Sequence, residues 1–317
     1  MRAVQINKFG GPEVLQAAEV SEPLVGSGQT LVEVSSAGVN YADTHLVENS
    51  YMTNPRLPLV PGTEVVGRTP DGQRVVALPY EGGYAERVAA PIERTFPLPD
   101  GLGDQDALAM CVQGVTAWHL LRVSARLAKG ESVVVQAAAG GTGSFAVQLA
   151  REFGAGRVIA VASTREKRDL AMSLGADAAI DGSPQGLSQR LLDANKGRPV
   201  DVILEMTGGR SFDSFLASLA PFGRLAVYGI ASRLPPRPVQ PAQLMSSSRA
   251  VVGFWLQHCL EQPEMYGRAL SELFELVGDG RVKPVRGKTY SLRDARRAHE
   301  DLRSRGSVGK LVLDTRR

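Results

Sequence analysis

The sequence lacks most of the features that would place it in a specialised class. Cysteine occurs twice in 317 residues, at Cys111 and Cys259, which rules out a disulfide framework and suits a reducing compartment. Charge of one sign is also scarce. The formal net charge is only +3, and no dense Lys/Arg stripe with interleaved aromatics exists to support nucleic-acid binding. The run from Arg293 to Arg297 reads as the solvated face of a helix. No apolar run approaches a membrane span, and the first residues carry no apolar signal core. These absences predict a cytoplasmic protein with no membrane or nucleic-acid partner.

What remains is an ordinary globular balance, 43% hydrophobic and 22% charged, in a chain long enough for two cores. Residues 1–119 read as short β-type runs (Arg2–Ile6, Gln29–Ser35, Thr63–Gly67, Arg74–Leu78, Arg87–Ala89) between Gly/Pro/Asp turns. Strands this short and this often interrupted predict a partly open antiparallel barrel. From 120 to 259 apolar runs alternate with amphipathic helical stretches. Six such runs (Ser132–Ala137, Arg157–Ala162, Ala178–Ile180, Val200–Leu204, Gly223–Tyr228, Ala250–Phe254) predict an α/β domain, a doubly wound Rossmann parallel sheet covered on both faces. The Pro-rich stretch 234–241 reads as an ordered surface loop. Residues 260–317, with helices near 265–277 and 292–304 and a last strand at 310–313, are too few for a domain and are expected to return to the barrel.

Val133–Ala137 is followed by Ala138-Ala139-Gly140-Gly141-Thr142-Gly143 and then a helix. Gly140 would let the backbone approach a pyrophosphate, and Gly143 would let the helix pack closely on the strand. The free N–H groups and positive dipole end of the first helical turn would hold the phosphates. The second strand then ends at Ser163, where an NAD enzyme normally carries Asp or Glu, and Arg165, Lys167 and Arg168 follow. A hydroxyl with nearby cations suits a ribose 2′-phosphate, so Ser163, Lys167 and Arg168 point to NADPH. Glu166 runs against that charge pattern, although at a helix start it favours the dipole.

With these residues in place, the chain resembles the medium-chain dehydrogenase/reductases of the zinc-free quinone oxidoreductase (zeta-crystallin-like) branch. The similarity runs through 37–43 (AGVNYAD), 61–67 (PGTEVVG), 82–86 (GGYAE), 116–118, 137–143, 174–177, 294–300 and 309–313. It implies a GroES-like barrel domain beside the Rossmann domain, a site in the cleft, and a homodimer joined through edge strands such as 251–254. Zinc-dependent relatives carry Cys where this chain has Asn40 and His where it has Thr63, and neither replacement is a good zinc ligand. The four histidines (His45, His119, His258, His299) are scattered. No metal is therefore expected, which disfavours alcohol oxidation and leaves hydride addition to an electron-poor acceptor. The resemblance also places Asn40 beside the nicotinamide, Thr116 near the same end of the cofactor, and Gly229 where the cofactor approaches. The plainer alternative for Asn40, a turn residue bonding its own backbone, is the less favoured one.

The sequence departs from that pattern at His45, at 48–52 (ENSYM), at 180–182 (IDG) and in a short loop 67–72. These changes touch the substrate side most. Tyr51 is the first candidate proton donor, because it matches a Tyr of enoyl-thioester reductases, and His45 is the second; a loop Tyr and a packed His are the plain alternatives. The expected reaction is NADPH-dependent reduction of a quinone or an α,β-unsaturated carbonyl. An enoyl-thioester reductase and a non-catalytic NADPH-binding protein are the other two possibilities.

Overall fold

The computed structural model describes all 317 residues. Fifteen strands run through it: β1 Arg2–Gln5, β2 Gln16–Glu19, β3 Gln29–Val39, β4 Val65–Arg68, β5 Arg74–Ala77, β6 Arg87–Pro91, β7 Thr95–Pro97, β8 Ser132–Gln136, β9 Arg157–Val161, β10 Ala178–Ile180, β11 Val200–Glu205, β12 Leu219–Val227, β13 Ala250–Gly253, β14 Arg286–Ser291 and β15 Lys310–Asp314. They divide between two compact units, Met1–Val112 with Pro284–Arg317, and Gln113–Lys283. The sequence reading put the boundaries at 119 and 260. The difference is largest for helix Pro263–Gly278, which lies in the second unit, where Leu273 Cδ1 would meet a Cβ on Gly114 at 3.1 Å and Glu272 accepts from Trp118 Nε1 at 2.9 Å.

The first unit is a barrel-like sheet in the order β14-β15-β3-β4-β5-β7, with β6 also paired to β3. All its pairs are antiparallel except β14 with β15. β15 comes from the end of the chain and pairs with β3 from Leu311↔Val39 to Asp314↔Ser36, so the C-terminal piece does complete the barrel. Val32, Val34, Val39, Val65, Leu311 and Leu313 meet in one buried core. Burying such side chains is worth about 2 kcal/mol each and drives the closure.

The second unit is a six-stranded parallel sheet in the order β10-β9-β8-β11-β12-β13. Counted from its first strand, this is the 3-2-1-4-5-6 order of a doubly wound dinucleotide-binding fold. Helices Gly141–Glu152, Arg165–Ser173, Leu187–Ala194 and Arg210–Ala217 make the crossovers. Residues 133–135 of β8 and 202–204 of β11 are wholly buried, as continuous apolar strands under two helical layers must be.

Several elements escaped the sequence reading. The loop after 234 runs into a helix, Pro241–Ser247, which begins with Pro at its first position, where the missing N–H does no harm. Residues 104–124 are helical throughout, with π-helical stretches at Ala109–Gly114 and Leu120–Ser124. Helix Tyr41–Val47 was not read from the sequence. No helix is long and apolar enough to cross a membrane.

Candidate functional site

In the second unit, the turn after β8 leads straight into helix Gly141–Glu152, with Gly140 at its N-cap. Ala137 sits at φ 47°, an uncommon conformation for a residue with a Cβ, and it bends the chain sharply out of the strand. A Cβ on Gly143 would overlap the Ala137 carbonyl oxygen, a backbone atom that cannot move aside, whereas one on Gly140 would stand 3.1 Å from it. Gly143 is therefore fixed by helix-on-strand packing and Gly140 by close quarters at the helix mouth. The amides of Gly141, Thr142 and Gly143 belong to the first turn, which has no intrahelical acceptors for them. Ala139 lies buried beneath this mouth.

The neighbouring strand β9 ends at Val161 and is followed by Ala162-Ser163, with Ser163 exposed. Thr164 caps the following helix and accepts from Lys167 N at 3.3 Å. The Arg168 guanidinium folds back over the strand end, donating to the carbonyls of Ala162 (3.1 Å) and Ser163 (3.3 Å), and lies 3.7 Å from Asp181. Glu166, the residue at odds with the charge pattern, is occupied locally: its own backbone N–H and the Thr164 hydroxyl hold its carboxyl below the usual range. Lys167 is half-buried, and burial lowers its pKa.

At the end of β11, beyond the point where the strand order reverses, sits Glu205, fully buried. Its Oε1 accepts from the amides of Thr207 (2.9 Å) and Gly208 (2.7 Å), while Oε2 has no hydrogen-bond partner. Gln136 Oε1, from β8, accepts from Met206 N, Thr207 N and the Thr207 hydroxyl at 2.9–3.2 Å. Two buried side chains thus pin one turn, and desolvation raises the Glu205 pKa. Gly229 follows β12, where a Cβ would stand 3.0 Å from Met206 O. Phosphate loop, Ser163, Glu205 and Gly229 all lie at the carboxyl ends of parallel strands, flanking the switch point where open α/β sheets bind ligands. Thr116 lies nearly buried in helix Val115–His119.

In the first unit, Asn40 caps helix Tyr41–Val47 and shares a capping box with Asp43, whose Oδ2 accepts from Asn40 N at 2.8 Å. The Asn40 side chain is also engaged: Nδ2 donates to Glu64 Oε1 at 2.6 Å, and Oδ1 accepts from Lys310 Nζ at 2.9 Å. Lys310 and Glu64 form an ion pair with no solvent exposure, and Cys111 Sγ donates to Glu64 Oε2 at 2.9 Å. Tyr84 donates to Asp43 Oδ2 at 3.0 Å and lies 3.1 Å from His299 Nε2. Burial works against the charged forms of Asp43, Tyr84, Cys111, Lys310 and His299. It raises Asp43 and Tyr84, pushes Cys111 up to about 12, lowers Lys310 and brings His299 down to about 3. One helical turn from Asn40, His45 is also buried. Its Nδ1 is 3.0 Å from Ser50 Oγ, and its ring stacks on Tyr51 at 6.1 Å and meets the Tyr41 edge at 5.6 Å.

Two family models match the chain: an alcohol dehydrogenase GroES-like domain over residues 26–100, and a zinc-binding dehydrogenase over 141–275. Along 99% of its length the chain is 32% identical to rat quinone oxidoreductase, covering 97% of that protein. Among solved structures, a mycobacterial protein complexed with NADPH is 34% identical, with TM-score 0.93 and 99% of each chain covered. Escherichia coli quinone oxidoreductase complexed with NADPH is 30% identical, with TM-score 0.93, covering 99% of this chain and 100% of that one. The chain belongs to the medium-chain dehydrogenase/reductases, in their quinone oxidoreductase branch.

For a member of this superfamily, the residues here do not fit a zinc ion. No three His, Cys, Asp or Glu side chains gather into a set that could hold a metal. The polar centre around Asn40 holds the Lys310 ammonium instead. The structure places the phosphate loop, Ser163 and Gly229 at the carboxyl ends of the parallel strands, leaves Thr116 on helix Val115–His119, and brings Asn40, His45 and Tyr51 together around one short helix. Glu64, Lys310, Glu205 and Gln136 were missed by sequence reasoning. Only the Asn40–Asp43 spacing carries a local signal, since Asx at an N-cap with an acid three residues later is a readable helix start.

Proposed function

We propose that this chain is an NADPH-dependent quinone oxidoreductase that reduces a quinone, or a similarly electron-poor enone, by direct hydride transfer without a metal. The observation that carries the reading is the near end-to-end likeness to an NADPH-complexed quinone oxidoreductase, coupled to an open-backbone helix mouth after β8. Bound NADPH would supply the hydride. The chain's own residues do the rest. The first-turn amides at Gly141, Thr142 and Gly143 bind the pyrophosphate, with Ala139 and Gly140 shaping the approach. Ser163 and Lys167 take the 2′-phosphate, and Arg168 stiffens the strand end that presents Ser163. Thr116 and Gly229 serve the nicotinamide half.

On the substrate side, Asn40 orients the reacting group and Tyr51 stands nearest to a proton-donating role. His45 is assigned to holding Tyr51 and Ser50 rather than to touching substrate, because its ring is 4% exposed. A quinone product is aromatic, so it demands little of a protein acid. The protein is proposed to work in the cytoplasm as a homodimer, consistent with β13 lying at the open edge of its sheet.

The test is a set of initial rates of NADPH and NADH oxidation against a simple quinone, a small enone and a crotonyl thioester. Turnover of the quinone with NADPH and little with NADH is the expected result. Preference for the thioester would replace the reading with an enoyl-thioester reductase. Saturable NADPH binding with no turnover on any acceptor would make the chain a binding protein.

A further inference from the structure

The Asn40 amide is gripped at both ends by charges of opposite sign. Lys310 can only donate, so the atom 2.9 Å from its Nζ must be the amide oxygen. Glu64 as a carboxylate can only accept, so the atom 2.6 Å from Oε1 must be the amide nitrogen. An unconstrained Asn can flip end for end; this one cannot without placing N–H against ammonium and oxygen against carboxylate. The grip is built from distant chain segments. Lys310 opens β15, and Glu64 precedes β4, where Gly38 of β3 leaves it room: a Cβ on Gly38 would overlap the Glu64 carboxylate. Cys111 takes up the second carboxylate oxygen.

A sealed ion pair is a poor way to gain stability, because desolvating both charges offsets most of their attraction. Nor is the pair needed to close the barrel: β15 is already held by backbone pairing to β3 and β14 and by the buried Leu311 and Leu313. We infer that Glu64 and Lys310 are positioning residues: the buried pair sets the sense and plane of the Asn40 amide and thereby the rate of reduction, leaving cofactor affinity to the other unit. The inference rests on the reading of Asn40 as the group that orients the substrate.

The test uses the full-length protein in a mutant cycle. The double variant Glu64→Gln/Lys310→Met removes both charges together, so neither is left buried alone. Its kcat for quinone reduction is expected to fall about tenfold with NADPH Kd within about twofold of wild type. Asn40→Ala is expected to fall by a similar factor. The triple variant is expected to be no slower than Asn40→Ala alone, because the pair acts only through that amide. A triple variant slowed by the product of the two factors overturns the inference and leaves the role of Asn40 standing. An Asn40→Ala protein with wild-type kcat overturns the reading of Asn40 itself. If the double variant fails to fold by circular dichroism, Glu64→Asp replaces it, keeping the charge but withdrawing the carboxylate by one methylene. The same kcat loss, absent on an Asn40→Ala background, supports the inference, and wild-type kcat overturns it.

Discussion

The two units handle polar chemistry in opposite ways. In Gln113–Lys283 the candidate binding groups are backbone amides at a helix N-terminus, where glycines at 140, 141 and 143 keep the backbone free of side chains of its own. In the barrel unit the polar groups are side chains that meet one another out of water: Asn40, Asp43, Glu64, Tyr84, His299 and Lys310 are each at most 5% exposed. The first arrangement is made by a single strand–turn–helix and costs little to assemble. The second draws on segments up to 270 residues apart and is stable only when every partner is in place. A binding surface can be local, whereas a fixed orientation needs several elements to agree.

The comparison breaks most visibly at Gly143. Gly143→Ala puts a methyl into the Ala137 carbonyl, so we expect destabilisation by about 3 kcal/mol and loss of NADPH binding, read by thermal melting and cofactor fluorescence. A variant that melts and binds like wild type would show that the turn is softer than its geometry implies.

His119 sharpens the contrast from the other side, as a buried polar group in the second unit with neither ring nitrogen hydrogen-bonded. Burial brings it down to about 4 from an ordinary 6.5. The unfolded chain therefore binds a proton that the folded one refuses between those values, and stability falls as pH drops through this window. At pH 4.5 the loss reaches about 2–3 kcal/mol. In His119→Phe this part of the acid sensitivity should vanish from a melting series between pH 7 and 4.5; His299, also held neutral, would keep its own share.

Lys167→Ala should weaken NADPH binding about tenfold and leave NADH unchanged, since one charge-assisted contact is worth roughly 1.5 kcal/mol. Equal loss for both cofactors would mean that Lys167 supports the helix start rather than the 2′-phosphate. The smallest effect is expected from Tyr51→Phe, within about threefold in kcat on a quinone. A fall beyond tenfold would give that hydroxyl the proton-donor role.

Legibility in the sequence follows the same divide. The order of β8 to β13 could be read because each buried strand is a continuous apolar run and each helix is amphipathic. The phosphate loop could be read because its glycines sit within one turn of a strand. β2, β7 and β14 were not legible, being short and largely exposed or lacking a clean alternation. The helix after Asn40 was hidden by its seven-residue length. Glu64 and Lys310 were not singled out, because no local pattern announces that two such residues will meet inside a barrel. Asn40 was singled out, but for its likeness to a family position. The capping and the charge grip that hold it depend on long-range register.

The pairing of β15 with β3 also has a consequence during protein synthesis. Strand β3 leaves the ribosome well before its partner, because Lys310 lies 270 residues beyond Asn40 in the chain. At about 5–20 residues per second the nascent barrel waits roughly 14–54 s for its closing strand, while the whole parallel-sheet unit emerges in between. Through that interval Glu64 has no counter-charge and β3 presents an open edge, so the half-made barrel is the stage of the molecule's life most exposed to misassembly.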